Sequence, residues 1–219
     1  MSPAAPSPRL AQAAAGLEQL AALARAQSWR ATGQPALPPT QVAVLRLLQA
    51  TPEGMQANRL ATRLVVSAAS LSDSLRSLER KGWLVRQADP ADRRARRLRL
   101  TAEGRALAQR LTEPTQGLAA LMAGLDEADV GALLRVTQLM IAQAQQQGLA
   151  SGLRTCLGCR FFRPHASGRS DQPHLCDFTG QPFGDPQLRV DCAEQAPAIP
   201  SEFAASVLRF RQRPPPSAA

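Results

Sequence analysis

Apolar residues recur at helical spacing from the start of the chain. Leu10, Leu17, Leu20 and Ala24 share one stripe within a segment rich in Ala and Leu, both strong helix formers. The run Gly33-Gln34-Pro35-Ala36-Leu37-Pro38-Pro39 ends that helix. Thr40 is then placed to cap a second helix carrying Val44, Leu45, Leu47 and Leu48. Thr51-Pro52-Glu53-Gly54 reads as a turn, and a short helix over about residues 56–63 follows. Leu64-Val65-Val66 leads to Ser67, a good N-cap for the next helix, where Leu71, Leu75 and Leu78 form a narrow apolar stripe. Ser70, Ser72, Asp73, Arg76 and Ser77 lie off that stripe. Lys81-Gly82 closes the helix, with Gly82 where a left-handed C-terminal residue is expected.

The period then changes. Leu84-Val85 reads as a short strand, Asp89-Pro90-Ala91-Asp92 as a turn, and Arg97-Leu98-Arg99-Leu100 alternates as a strand with one solvated face. Thr101-Ala102-Glu103-Gly104 opens a long helix expected to reach about Met122. Asp126 caps another, running to about Gln147 with Val130, Leu133, Leu134, Val136 and Ile141 inward. Residues 150–195 are rich in Gly, Pro, Asp and Cys and show no helical period. The expected organisation is a disordered start over 1–8, a helical domain over 9–149, a cysteine module over 150–195 and a disordered tail over 196–219.

Charge sharpens this picture. The 219-residue chain carries a formal +9, and residues 76–110 alone hold a net +7, which suggests a polyanionic partner. No apolar run is long enough to cross a bilayer, and Met1-Ser2-Pro3-Ala4-Ala5-Pro6 does not read as a signal peptide, so a cytoplasmic, membrane-free protein is expected. No Ser/His/Asp arrangement, phosphate loop or carboxylate pair points to catalysis, and both histidines lie in the C-terminal third. The chain reads as a non-enzyme.

Two short helices joined by a tight turn, followed by an Arg-rich hairpin, predict a mainly α fold built on a winged helix-turn-helix. The second helix of such a unit fits the major groove of double-stranded DNA, and the hairpin tip reaches the adjacent minor groove, whose negative interior suits Arg. The candidate DNA-contacting residues are Ser67, Ser70, Ser72, Asp73 and Arg76 on the helix, with Arg86, Asp92, Arg93, Arg94 and Arg96 on the hairpin. Asp92 is placed to orient one of the arginines. Trp83 is expected to pack beneath the wing.

These residues resemble the MarR family of regulators. The likeness rests on Ser67-Ala68-Ala69-Ser70-Leu71, on Leu78-Glu79-Arg80-Lys81-Gly82-Trp83-Leu84-Val85-Arg86, and on Asp92-Arg93-Arg94-Ala95-Arg96-Arg97-Leu98-Arg99-Leu100-Thr101 with Glu103-Gly104. The wing is most like that of the SlyA branch, and the likeness spans about residues 12–147. It implies a helical homodimer paired through its first and last helices, Arg93 or Arg94 in the minor groove, and Ser70 and Ser72 facing bases. Repression is the mode it suggests. Asp73 departs from the family pattern, where many relatives carry an Arg that reads a base. An Asp there accepts from cytosine and repels phosphate.

Cys156, Cys159, Cys176 and Cys192 are the chain's only cysteines, spaced by two, sixteen and fifteen residues. In a chain without an export signal, such a cluster reads as a metal or redox site. The spacing, Cys159-Arg160-Phe161-Phe162 and Cys176-Asp177-Phe178 resemble high-potential iron–sulfur proteins, which implies a [4Fe-4S] cluster on the four thiolates. Zinc on the same thiolates, or on a set including His174 or His165, is the alternative. Phe161, Phe162, Phe178 and Phe183 are expected to form the module's apolar shell. Three functional readings follow: a regulator sensing iron–sulfur status, metal or oxidants; a regulator with a structural zinc and a small-molecule ligand near its dimer interface; and an electron-transfer protein that docks through its helices.

Overall fold

A computed structural model describes residues 7–31, 37–89, 94–112 and 117–212. The fold is mainly α and divides into two units, Met1–Ala123 and Gly124–Ala219. The sequence reading drew one domain over 9–149. The division instead groups the helix after Asp126 with the cysteine loops.

The first unit contains α1 (Pro8–Ala31), α2 (Pro39–Gln49), β1 (Met55–Gln56), α3 (Ala57–Leu64), α4 (Ala68–Arg80), β2 (Leu84–Ala88), β3 (Arg96–Leu100), α5 (Ala102–Thr112) and α6 (Gly117–Met122). Its core is a continuous set of leucines: Leu45 and Leu48 of α2, Leu60 of α3, Leu71, Leu75 and Leu78 of α4, Leu84 and Leu98 of the hairpin, and Leu107 and Leu111 of α5. Each contributes about 1.5–3 kcal/mol by leaving water. Ser67 caps α4, its Oγ accepting the Ser70 N–H at 3.2 Å, and Gly82 takes φ 72° just beyond the helix. Trp83 packs against this core, as expected.

Three local expectations are corrected. Helix α2 starts at Pro39 with Pro38 as its N-cap residue, so Thr40 lies inside it; Pro at the first helical position forgoes an N–H that has no partner there. The single long helix expected over 101–122 is described as α5 and α6, and residues 113–116 between them lie outside the described residues. Strand β1 was not foreseen. Its two residues pair antiparallel with β3, Met55 opposite Leu98, which makes the hairpin a three-stranded sheet ordered β1-β3-β2.

The second unit contains α7 (Glu127–Gln146), β4 (Phe162–Arg163), β5 (His174–Cys176), β6 (Gln181–Phe183), a 3-10 turn (Asp185–Gln187) and α8 (Pro200–Arg211). Asp126 caps α7 through its Oδ1, which accepts the Asp129 N–H at 2.7 Å. The face of α7 packed within the unit is only partly the one expected. Leu134 packs against the core and Val130 and Ile141 are half-buried, but Leu133 and Val136 are exposed, as is Met140, and Gly131, Arg135, Gln138 and Ala142 are buried. Two polar side chains can be buried on this helix because each finds backbone partners, described below.

The cysteine loops are not wholly irregular, since β4, β5 and β6 form a small antiparallel sheet in that order. The tail expected to be disordered carries α8, whose Val207 and Phe210 are buried. Phe162 meets Phe210 edge-on at 5.7 Å between ring centres. Of the four phenylalanines assigned to the shell, Phe162 is buried but Phe178 is exposed, and Phe210 with Phe203 of α8 completes the core instead.

Gly104 marks the tightest approach in the first unit. A Cβ there would stand 2.0 Å from the Trp83 carbonyl oxygen, beside the Thr101 N–H bond to that same oxygen. Gly→Ala within a helix ordinarily stabilises by about 0.5–1 kcal/mol. Gly104→Ala should instead cost about 2 kcal/mol or more, because backbone must move. Chemical denaturation of the variant checks this, and a gain in midpoint would contradict the packing described.

Candidate nucleic-acid interface and cysteine cluster

Helices α3 and α4 meet through a short turn in which Val65 adopts a left-handed conformation, φ 54°. Its N–H donates to Thr62 O and that of Val66 to Ala61 O, closing the end of α3 and setting the direction of α4. With Leu71, Leu75 and Leu78 buried, Ser67, Ser70, Asp73 and Arg76 stand exposed on α4, and Ser72 is half-buried. Asp73 and Arg76 pair with each other at 2.6 Å.

The wing is braced at three points. Arg86 of β2 donates to Glu79 of α4 at 2.5 Å, tying the hairpin to that helix. Arg99 of β3 spans to Pro52 O at 2.8 Å and Gln87 Oε1 at 3.2 Å. Asp89, which sequence reasoning treated only as a turn residue, is the third. Its side chain is 2% exposed, yet its Oδ2 lies 2.9 Å from Arg97 Nε and accepts from Gln56 Nε2 at 2.8 Å. A buried carboxylate with two such partners fixes the base of the tip. Arg94 and Arg96 are exposed beyond it. Asp92 and Arg93 lie outside the described residues. The charged surface therefore joins Ser67, Ser70, Asp73 and Arg76 to a hairpin whose inner arginines are structural and whose outer ones face solvent.

In the second unit the four cysteines are free thiols, all half-buried. The loop before Cys159 and the loop before Cys192 run side by side. The Cys156 N–H donates to Arg189 O at 3.0 Å, the Arg189 N–H donates to Cys156 Sγ at 3.2 Å, and the Cys192 N–H donates to Arg154 O at 2.9 Å. Arg189 Nη1 lies 4.0 Å from Cys192 Sγ. Burial pushes the Cys156 thiol up to about 11; the Arg189 N–H opposes this, while the charges of Cys192, Cys159 and Cys176 add to it. Cys156 thus feels all three other sulfurs. Among the described residues, however, no group of three or more His, Cys, Asp and Glu side chains is placed to hold a metal ion.

His174 is occupied elsewhere, whereas neither ring nitrogen of His165 has a hydrogen-bond partner among the described residues. His174 is fully buried; its Nδ1 accepts the His165 N–H at 3.3 Å and its Nε2 faces Asp185 Oδ1 at 2.8 Å, which sets the proton on Nε2. Both ring nitrogens are therefore used inside the unit, and the sequence alternative of His174 as a zinc ligand beside Cys176 is corrected. Burial lowers the His165 imidazole below its ordinary value, with His174 adding to the effect. Burial would raise the Asp185 carboxyl, but the hydrogen bond from His174 and the charge of Arg135 outweigh it and hold it below the usual range.

Comparison with known proteins bears on the first unit. Residues 37–95 match the model of the MarR family. No curated protein matches the chain. Among solved structures, the chain is similar to the transcriptional repressor CouR bound to a 23-mer DNA duplex, at 27% identity and a TM-score of 0.50, over 62% of this chain and 96% of that one. The regulator SlyA shares the fold at 18% identity and a TM-score of 0.54, over 60% and 93% of the two chains. So does MepR of S. aureus in a DNA complex, at 22% and 0.52, over 59% and 96%. The MarR-family winged helix-turn-helix is supported both by the sequence model and by these folds. The cysteine loops lie outside the residues matched to the MarR model. Among the described residues no helix is long and apolar enough to cross a membrane.

The raised Cys156 value has a direct readout. A thiol that titrates near 11 is protonated and a poor nucleophile at neutral pH. In reduced, metal-free protein, Cys156 should alkylate slowly at about pH 8, its rate climbing only toward pH ~11. Mass spectrometry of the iodoacetamide-modified Cys156 peptide across pH reads this directly, and a rate already at its plateau at about pH 8 would contradict it.

Proposed function

We propose that this protein is a transcription regulator that binds double-stranded DNA as a homodimer and acts in the cytoplasm as a repressor, with its cysteine loops as a sensing module. The observation that carries the DNA-binding reading is the joint exposure of Ser67, Ser70, Asp73 and Arg76 on α4 beside the braced hairpin with Arg94 and Arg96. A helix of that kind fits a major groove, and arginines at such a tip fit the neighbouring minor groove. CouR, which shares 27% identity with this chain and was solved on a duplex, supports the same use of the fold and the repressor mode.

The dimer reading rests on apolar surface that the single chain leaves uncovered. Leu10, Leu17, Leu20 and Leu23 on α1 are exposed, as are Leu133, Val136 and Met140 on α7. Patches of this sort mark association surfaces. Light scattering at micromolar concentration should give twice the chain mass, and a monomer would remove the dimer.

For the module, the donor set is four thiols, none of them in a disulfide, and the charges of the other three bear on Cys156. Four sulfurs about one zinc at ~2.3 Å each would nearly touch. A [4Fe-4S] cluster places a separate iron beneath each thiolate and so needs them further apart. The preference for a cluster over zinc rests on the likeness of Cys159-Arg160-Phe161-Phe162 and Cys176-Asp177-Phe178 to high-potential iron–sulfur proteins. Cys156, Cys159, Cys176 and Cys192 would hold it, the Arg189 N–H would stabilise the thiolate of Cys156, and the cluster would supply reactivity toward oxidants. Ligation would displace the proton that Cys156 otherwise keeps.

The wing supplies the decisive test of DNA binding. Arg93→Ala combined with Arg94→Ala should weaken binding to duplex DNA by about tenfold or more and lower the slope of log affinity against log salt by about two. The dimer should persist. An anisotropy titration in which neither affinity nor slope changes would overturn the wing assignment.

A further inference from the structure

Helix α7 presents two opposed faces. On one side Leu133, Val136 and Met140 are exposed and apolar. On the other, Gln138 is fully buried, and its carboxamide is used at both ends. Its Nε2 donates to Arg189 O at 2.8 Å, and its Oε1 accepts the Leu157 N–H at 2.9 Å. Leu157 sits between Cys156 and Cys159. The Arg189 carbonyl is the same one that accepts the Cys156 N–H, and the Arg189 N–H is the one that donates to Cys156 Sγ. One side chain thus joins α7 to both strands of the paired loops that carry three of the four cysteines.

We infer that Gln138 is the positioning residue through which the state of the cysteine loops reaches α7. The inference rests on the sensing role proposed above for those loops. Its physical basis is the low tolerance of a buried amide for a lost partner, about 1–3 kcal/mol for each unsatisfied group. When the thiols change state, the Arg189 and Leu157 peptides move with Cys156. Gln138 must follow them or lose its bonds. Following them shifts α7 and, on its far side, the face formed by Leu133, Val136 and Met140. The cysteine loops would therefore act on subunit pairing rather than on DNA directly.

A second anchor keeps α7 docked when Gln138 is changed. Arg135, one turn earlier, is buried, donates to the Phe210 carbonyl of α8, stacks 4.4 Å over the Phe210 ring and lies 3.9 Å from Asp185. None of these partners is a cysteine-loop peptide at 154–159 or 189–192. Gln138→Met keeps the volume and removes both bonds to the loops while leaving this clamp intact.

The test uses the full chain, reconstituted anaerobically with ferrous iron and sulfide or stripped with chelator. Three quantities are read: the visible spectrum with iron and sulfide content, the ratio of DNA affinities between the two forms, and hydrogen exchange of the α7 amides. For the unaltered protein the affinity ratio should be tenfold or more, within the usual range of allosteric coupling. Stripping should also speed exchange across residues 131–142. Gln138→Met should take up the same iron and sulfide with the same spectrum, yet show an affinity ratio below about threefold and α7 exchange that no longer depends on the centre. Gln138→Glu, which keeps an acceptor for Leu157 and loses the donor to Arg189, should fall between the two.

A full ratio in Gln138→Met overturns the inference and leaves the sensing module standing. A loaded, unaltered protein whose affinity and α7 exchange both ignore the centre overturns the sensing module and the inference together. Should Gln138→Met fail to fold, the exchange measurement on the unaltered protein decides, since α7 amides that do not respond to stripping exclude transmission through Gln138.

Discussion

A carboxamide shut away from water must find its partners inside the protein, and Gln138 can find them only if two loops distant in sequence come to it together. This constraint orders the second unit. With Leu157 and Arg189 held, Cys156 is locked against the Arg189 backbone in both directions, and the neighbouring strand pairs Cys192 with Arg154. Arg154 then reaches Asp191 at 2.9 Å. The loops place Leu157, Phe162 and Leu188 in a small core, and hydrogen bonds to the backbone add to it.

The first unit is ordered by a different force. Its leucines close on one another from four helices and a hairpin, and the few buried polar groups are paired with side chains or with backbone. Arg46 illustrates this, since its guanidinium donates to the Leu111 carbonyl at 2.7 Å near the end of α5, where helical carbonyls lack partners. Non-directional burial and directional pairing thus divide the molecule between them. The leucine-packed unit carries the surface suited to DNA, and the hydrogen-bonded unit carries the cysteines.

Elements with strong local signals were legible in the sequence. Ser67, Leu71, Leu75, Leu78 and Gly82 specify α4 from cap to end, because each acts within a few residues of its own position. Asp126 does the same for the start of α7. What could not be read depends on partners far along the chain. Asp89 is an ordinary turn residue until Gln56 and Arg97 are seen to converge on it. Gln138 looks like a surface glutamine within its helix, and only the loops 19 and 51 residues away reveal that it is buried. Helix α8 was hidden because its apolar residues are few, and its order comes from Phe210 packing against Phe162 and Arg135. On α4 the exposed residues agreed with the stripe that excluded them, and the protein partners of Arg86, Arg97 and Arg99 became visible only in the fold.

Under the proposed function, the Asp73–Arg76 pair on α4 would bear on selectivity rather than strength. Both side chains are well exposed and sit 2.6 Å apart, so their mutual attraction is worth only a fraction of a kcal/mol and is easily surrendered. Until it is surrendered, the reading helix presents a neutralised pair where a lone arginine would draw any phosphate. Affinity for random duplex, which is mostly counterion release, is reduced accordingly. Under the proposed function, a site that offers Asp73 a cytosine amino group and Arg76 a guanine edge would supply new partners to both as the pair opens. The helix thus holds its charge in reserve, and the protein would spend less time on the wrong sequence at the expense of some speed in finding DNA at all.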